Sequence, residues 1–134
     1  MLVKVYGAAI QGLEAIPVTI EVNASRGIKF FLVGLPDSAV KESHERIISA
    51  IENSGYEFPS KRIVVNMAPA SIRKEGSGYD LPLAIGILAT QGSVRIDRLE
   101  RFMMVGELSL DGSIQPVTGA LLMAIKARAL GYEG

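Results

Sequence analysis

The sequence predicts an α+β domain, a mixed β-sheet with helices packed against it. Three observations carry this. The first third alternates apolar and polar residues with a period of two. Three later segments carry helical signals, and one of them is apolar nearly all round. An Asp-Gly pair between short apolar stretches marks a hairpin. The resulting order is strands, helix, strand, helix, hairpin, helix.

The elements follow in turn. Val18, Ile20 and Val22 alternate with Thr19, Glu21 and Asn23, as a strand with one buried face requires. Gly27 marks a turn. Phe30-Phe31-Leu32-Val33 is a continuous apolar run, the pattern of a central strand buried on both faces. Asp37 or Ser38 can cap a following helix. Its stripe is Val40, His44, Ile47, Ile48 and Ile51, with Glu42 and Glu45 off it and Gly55 as the stop. Ile63 to Met67 is another buried-strand pattern, entered through Lys61-Arg62. After a loop from Pro69 to Tyr79, Asp80 is the expected N-cap of a core helix, with Pro82 in its first turn. Met103 to Val105 and Leu108 to Leu110 read as strand, Asp111-Gly112 as the turn, and Ser113 to Gln115 as the return. Thr118 is the expected cap of a last helix whose stripe is Leu121, Leu122, Ile125 and Ala129.

Composition bounds the function. The chain has 134 residues, enough for one domain with a real core. Lys plus Arg and Asp plus Glu number 14 each, so no net charge draws the chain toward nucleic acid or membrane. There are no cysteines, which excludes disulfides and thiolate chemistry, and His44 is the single histidine. No signal-like leader or membrane-spanning run is present, and a cytoplasmic location is expected. Residues 1–134 are read as one domain, expected to be a fragment of a longer protein because the chain stops just after a helix.

Four constellations are candidates for chemistry. Lys74-Glu75-Gly76-Ser77-Gly78-Tyr79-Asp80 is glycine-rich and precedes a helix, the setting of phosphate cradles. It lacks P-loop spacing, and Asp80 places a negative charge where a phosphate would sit, so a tight turn is the favoured reading. Ser77 with Lys74 could form a serine-lysine peptidase only if Lys74 were desolvated, and a loop lysine is expected to be solvated. His44, on an apolar stripe, reads as a packed residue. Lys61, Arg62, Arg73, Lys74, Arg95, Arg98 and Arg101 could line a nucleic-acid surface if they shared one face.

Several runs resemble one known family in order along nearly the whole chain. They are Phe31-Leu32-Val33-Gly34-Leu35-Pro36-Asp37, Asn66-Met67-Ala68-Pro69-Ala70, Lys74-Glu75-Gly76-Ser77, Tyr79-Asp80-Leu81-Pro82 and Gly106-Glu107-Leu108-Ser109-Leu110-Asp111-Gly112. They resemble the N-terminal domain of the magnesium-chelatase-like AAA+ ATPases of the ComM/YifB type. The resemblance implies a fold like the Lon protease domain and the second domain of a ribosomal small-subunit protein. It also implies an ATPase module beyond this chain, which would bind ATP and Mg, form a homo-hexamer and process DNA in transformation or recombination. No cofactor is expected in this domain. Its expected partners are that module, neighbouring subunits and, in a further reading, DNA, with Arg62, Arg73 and Lys74 as candidate contacts.

The same resemblance predicts a lost active site. Lon enzymes carry a Lys-Asp-Gly-Pro-Ser loop ending in the nucleophile. Lys74-Glu75-Gly76-Ser77 matches its start, and Gly78 stands in the nucleophile's place. Pro116-Val117-Thr118-Gly119-Ala120 is similar to the run before Lon's catalytic lysine, and Leu121 replaces that lysine. The chain is therefore expected to be non-catalytic and to serve in assembly or substrate engagement. A Ser77/Lys74 peptidase and a DNA-binding module are the alternatives.

Overall fold

A computed structural model describes residues 1–134. Strands β1 (Leu2–Gln11) and β2 (Glu14–Ser25) form a long hairpin. The short β3 (Phe30–Val33) follows, then helices α1 (Ser38–Lys41) and α2 (Ser43–Asn53). Next come β4 (Arg62–Ala68) and α3 (Asp80–Thr90). A 3₁₀ turn at Leu99–Arg101 leads to the small hairpin β5 (Glu107–Leu108) and β6 (Ile114–Gln115), and α4 (Ala120–Ala129) is last. The main sheet has the order β1-β2-β4-β3. Its first three strands are antiparallel and β3 joins β4 in parallel, so the sheet is mixed and the α+β expectation holds.

The alternation read from the sequence sets the two faces. Register pairs Val3, Val5 and Gly7 with Val22, Ile20 and Val18, and pairs Val22 and Ile20 in turn with Val65 and Met67 on β4. This face packs under α2 and α3 through one buried cluster that includes Ile47, Ile51, Leu83 and Ile87. Buried apolar area of this extent is the main stabilising term. The other face is covered only near the hairpin tip, where Met123 of α4 meets Ala8 and Ala15.

Five element-level expectations are corrected. Phe30–Val33 is an edge strand, with Phe31 and Val33 exposed, because β4 lies on one side and nothing pairs on the other. The first helix breaks at Glu42, and the Asp37 carboxylate caps its first part through Val40 N at 2.8 Å. Tyr79, not Asp80, is the N-cap of α3, because the Asp80 carboxylate is turned to other partners. Met103 to Val105 contributes only an isolated parallel bridge between Met103 and Tyr6. Gly119, in the left-handed conformation, caps α4 in place of Thr118, and α4 buries Met123 and Ala127 while Leu121, Ile125 and Ala129 face outward.

No helix is long and apolar enough to cross a membrane.

Candidate functional site

The glycine loop is built on an interior lysine. Lys74 has no accessible surface. Its Nζ donates to the carbonyl of Gly34 at 2.6 Å and to the carbonyl of Pro69. Its backbone joins the segment before α1, with Lys74 N on Leu35 O at 3.0 Å and Asp37 N on Lys74 O at 2.9 Å. Burial pushes the Lys74 amine below its ordinary pKa, while two carbonyl acceptors favour the charged form. The expectation of a solvated Lys74 is therefore corrected, and with it Lys74 as a contact for DNA or a partner. The approach of Gly34 to β4 explains its residue type: a Cβ there would lie 2.1 Å from Met67 O.

Asp37 ties this core to the loop above it. One carboxylate oxygen caps α1, and the other accepts from Gly76 N at 3.1 Å. Ser77 Oγ donates to Glu107 Oε2 at 2.5 Å, so its hydroxyl is committed to a carboxylate rather than to an amine. Tyr79 is buried, and burial, then the charges of Asp37 and Glu75, pushes its phenol up to about 12. Asp80 lies beneath, accepting from Arg46 Nε at 2.7 Å and from Leu108 N at 3.0 Å. That pair fastens α2 and β5 to the start of α3.

Of these residues, Asp37, Gly76, Ser77, Tyr79 and Glu107 line a cavity of about 620 Å³, while Lys74 and Asp80 lie outside it. Ala8, Ala9 and Ile10 of β1 form the facing wall, and Val117, Leu122 and Met123 close one side. Gly78 lines it as well, and a Cβ there would meet Val117 Cγ1 at 3.4 Å. The lining holds three carboxylates, Asp37, Glu75 and Glu107, and one guanidinium, Arg73, but no lysine or histidine. Leu121 is absent from it, being 74% exposed on the outer side of α4. Of the two positions singled out for a lost dyad, the fold thus brings only Gly78 to the cavity. No group of three or more His, Asp or Glu side chains is arranged to hold a metal ion.

The basic residues do not share one face. Arg73 is exposed beside Glu75 at 3.6 Å. Arg95 pairs with Asp97, and Arg98 and Arg101 both pair with Glu133. Lys61 and Arg62 lie at the far end of the sheet, where the Arg62 guanidinium sits 5.0 Å over the Phe31 ring. His44 stacks on Phe30 with centroids 4.2 Å apart and tilts against Phe58, as a packing role requires. Sequence reasoning missed Glu107 and the β1 edge as parts of the site. Glu107 stood inside a conspicuous Gly-Glu-Leu run, but its partner Ser77 is 30 residues away, and only the folded chain joins them.

The family model for subunit ChlI of Mg-chelatase matches residues 20–134. The chain belongs to this family. It is 46% identical over 131 residues to protein YifB of Salmonella typhimurium, covering 97% of this chain and 26% of that protein. Against YifB of Escherichia coli the identity is 45% over 130 residues, with 96% and 26% covered. Against competence protein ComM of Haemophilus influenzae it is 46% over 131 residues, with 95% and 26% covered. The chain spans about a quarter of the length of these relatives.

Proposed function

We propose that this chain is the non-catalytic N-terminal part of a magnesium-chelatase-like AAA+ ATPase, where it serves in subunit assembly or substrate engagement. The ATPase module beyond it binds ATP and Mg and forms a homo-hexameric ring. One relative's name, competence protein, favours DNA processing in transformation or recombination as the parent's work. The cytoplasm is the compartment of such a motor.

One observation carries the non-catalytic reading. The amine nearest the glycine loop, Lys74 Nζ, is sealed beneath it on two carbonyls, while the Ser77 hydroxyl points to Glu107. A Ser77/Lys74 dyad needs an uncharged amine free to take the serine's proton, and this amine is engaged by two backbone carbonyls. This arrangement weighs against the Ser77/Lys74 peptidase. A fluorophosphonate probe tests it: no labelling at Ser77 is expected, and labelling lost in Ser77→Ala overturns the reading. The assembly role is tested on the full-length parent against a form lacking residues 1–134, by sedimentation in ATP. A smaller or broader oligomer distribution in the shortened form is expected, and unchanged rings with unchanged ATPase rates refute it.

A second reading, contact with DNA, is favoured by one specific arrangement. Arg26, Lys29, Lys61 and Arg62 gather at one end of the main sheet, none of them in an ion pair, beside the partly exposed Phe31, whose ring the Arg62 guanidinium overlies. Cations with an aromatic platform suit single strands. Salt-dependent retention of a single-stranded oligonucleotide, weakened by Arg62→Ala, supports it. Retention unaffected by that change ends it.

A further inference from the structure

The hairpin geometry leaves a short stretch of β1 without a partner. The two-residue turn Gly12-Leu13 makes Gln11 and Glu14 the first cross-strand pair. In an antiparallel ladder, hydrogen-bonded and non-hydrogen-bonded pairs alternate. Gln11, Ala9 and Gly7 therefore turn their backbone groups to β2, and Ile10, Ala8 and Tyr6 turn theirs to the open edge. Two facts agree with this phase. Ala8 stands opposite Pro17, which has no N–H to give. Tyr6 O accepts from Met104 N at 2.8 Å, on the outer side of β1.

The segment at Met103–Met104 thus begins a fifth position in the sheet and then abandons it. Gly106 N turns to Gly78 O at 2.9 Å, and Leu81 N takes Gly106 O at 3.0 Å. The chain peels away from β1, and the gap it leaves is the cavity. Ala8 and Ile10 line that gap, and neither residue's N–H or C=O has a hydrogen-bond partner in the fold. Two donors and two acceptors, alternating along one strand edge, call for a backbone that offers the complementary series. A nucleotide or a metabolite does not present groups at that repeat. An extended polypeptide does.

The charge of the cavity narrows the occupant. Asp37, Glu75 and Glu107 line it against Arg73 alone. Val117, Leu122 and Met123 supply the apolar side. We propose that the cavity is a docking cleft for an extended segment of another protein chain, which adds as a strand along Ala8–Ile10 and carries a Lys or Arg toward Glu107 and Glu75 with small apolar residues beside it. This goes beyond the assembly role, which stands without it. No bond is made or broken in the cleft. Gly78 contributes by keeping its wall low.

The test uses the 134-residue chain labelled with ¹⁵N and the peptide Ac-Thr-Val-Arg-Val-Thr-NH2. On titration to about 5 mM peptide, the Ala8 and Ile10 amides shift downfield and gain protection from solvent exchange, because each acquires an acceptor. A peptide N-methylated at both valines binds about tenfold more weakly, since its edge donors are gone. The Arg→Glu peptide, and the Glu107→Gln protein with the original peptide, each lose about fivefold. Because Glu107 also accepts from Ser77, the peptide-side change keeps the test valid if the protein variant is unstable. Silent Ala8 and Ile10 amides at the highest concentration overturn the proposal. So does equal binding of the N-methylated peptide. Displacement of the peptide by a ten-residue thymidine oligonucleotide at the same amides assigns the cleft to nucleic acid and overturns it too. Loss of peptide binding leaves the sedimentation behaviour of the full-length parent as expected, so the two readings fail separately.

Discussion

Asp80→Asn is the sharpest probe of how the site is held together. The Asp80 side chain is 1% exposed and accepts three hydrogen bonds, from Arg46 Nε at 2.7 Å, Arg46 Nη2 at 3.0 Å and Leu108 N at 3.0 Å. The hydrogen bonds that the Arg46 guanidinium donates to the Asp80 carboxylate hold it above its ordinary pKa. An asparagine keeps the shape but turns an amide N–H₂ toward a guanidinium that can only donate. Breaking a buried pair from one side costs about 3–5 kcal/mol. Arg46 retains some water, at 21% exposure, and keeps its bond to Ala39 O, so the low end applies, about 3 kcal/mol. In a chain of this size that lowers Tm by roughly 12 °C. Thermal and urea unfolding followed by circular dichroism measure it. A double-mutant cycle with Arg46→Met isolates the pair, with an expected coupling of about 2 kcal/mol. A loss below about 1 kcal/mol for Asp80→Asn, or strictly additive losses in the cycle, refutes the claim that this pair fastens α2 and β5 to α3.

Four further outcomes are expected. Lys74→Met strands the Gly34 and Pro69 carbonyls in the interior and costs about 2–3 kcal/mol by urea unfolding. Gly34→Ala places a methyl 2.1 Å from a backbone oxygen at a φ of +111°, and yields no soluble folded chain in a ¹H–¹⁵N spectrum. Tyr79 is a neutral acid whose folded pKa, about 12, lies above its unfolded value; its contribution is whole at neutral pH and is lost as pH climbs from 10.0 toward 12. Absorbance at the tyrosinate band should show two of the four tyrosines, Tyr79 and Tyr132, titrating above the ordinary value, and chain unfolding easing over the Tyr79 window. Gly78→Ser with Leu121→Lys confers no hydrolysis of a casein substrate, because position 121 faces solvent outside the cavity.

The sequence made the local chemistry readable and left the long-range choices hidden. The alternation of Val18, Ile20 and Val22, the cap at Asp37, the apolar helix at 80–90 and the Asp111-Gly112 turn are decided by neighbours along the chain, and each stands in the fold. Phe30–Val33 misleads because an apolar run reports apolarity and not the number of neighbouring strands. The α4 stripe misleads for a related reason. All sides of that helix are apolar enough to be buried, and the small β1–β2 surface chooses Met123 and Ala127. Residue type alone places Lys74 in solvent, and the carbonyls of the distant Gly34 and of Pro69 draw it inward. The glycine loop is legible in its own residues, but the unpaired edge of β1 is not, because that edge depends on where residues 103–106 turn away.

The unequal size of the two apolar clusters has its own consequence. The larger has 22 buried residues and the smaller has three. Local opening follows the weaker packing, so α4, which starts after Gly119 and carries the Lys126–Glu14 pair, is expected to open before the helices on the larger cluster. Its residues Leu122 and Met123 are also one side of the cavity. The pocket therefore joins one side bonded into the sheet to one side held by the smaller cluster, and amide exchange is expected to be faster along α4 than along α3.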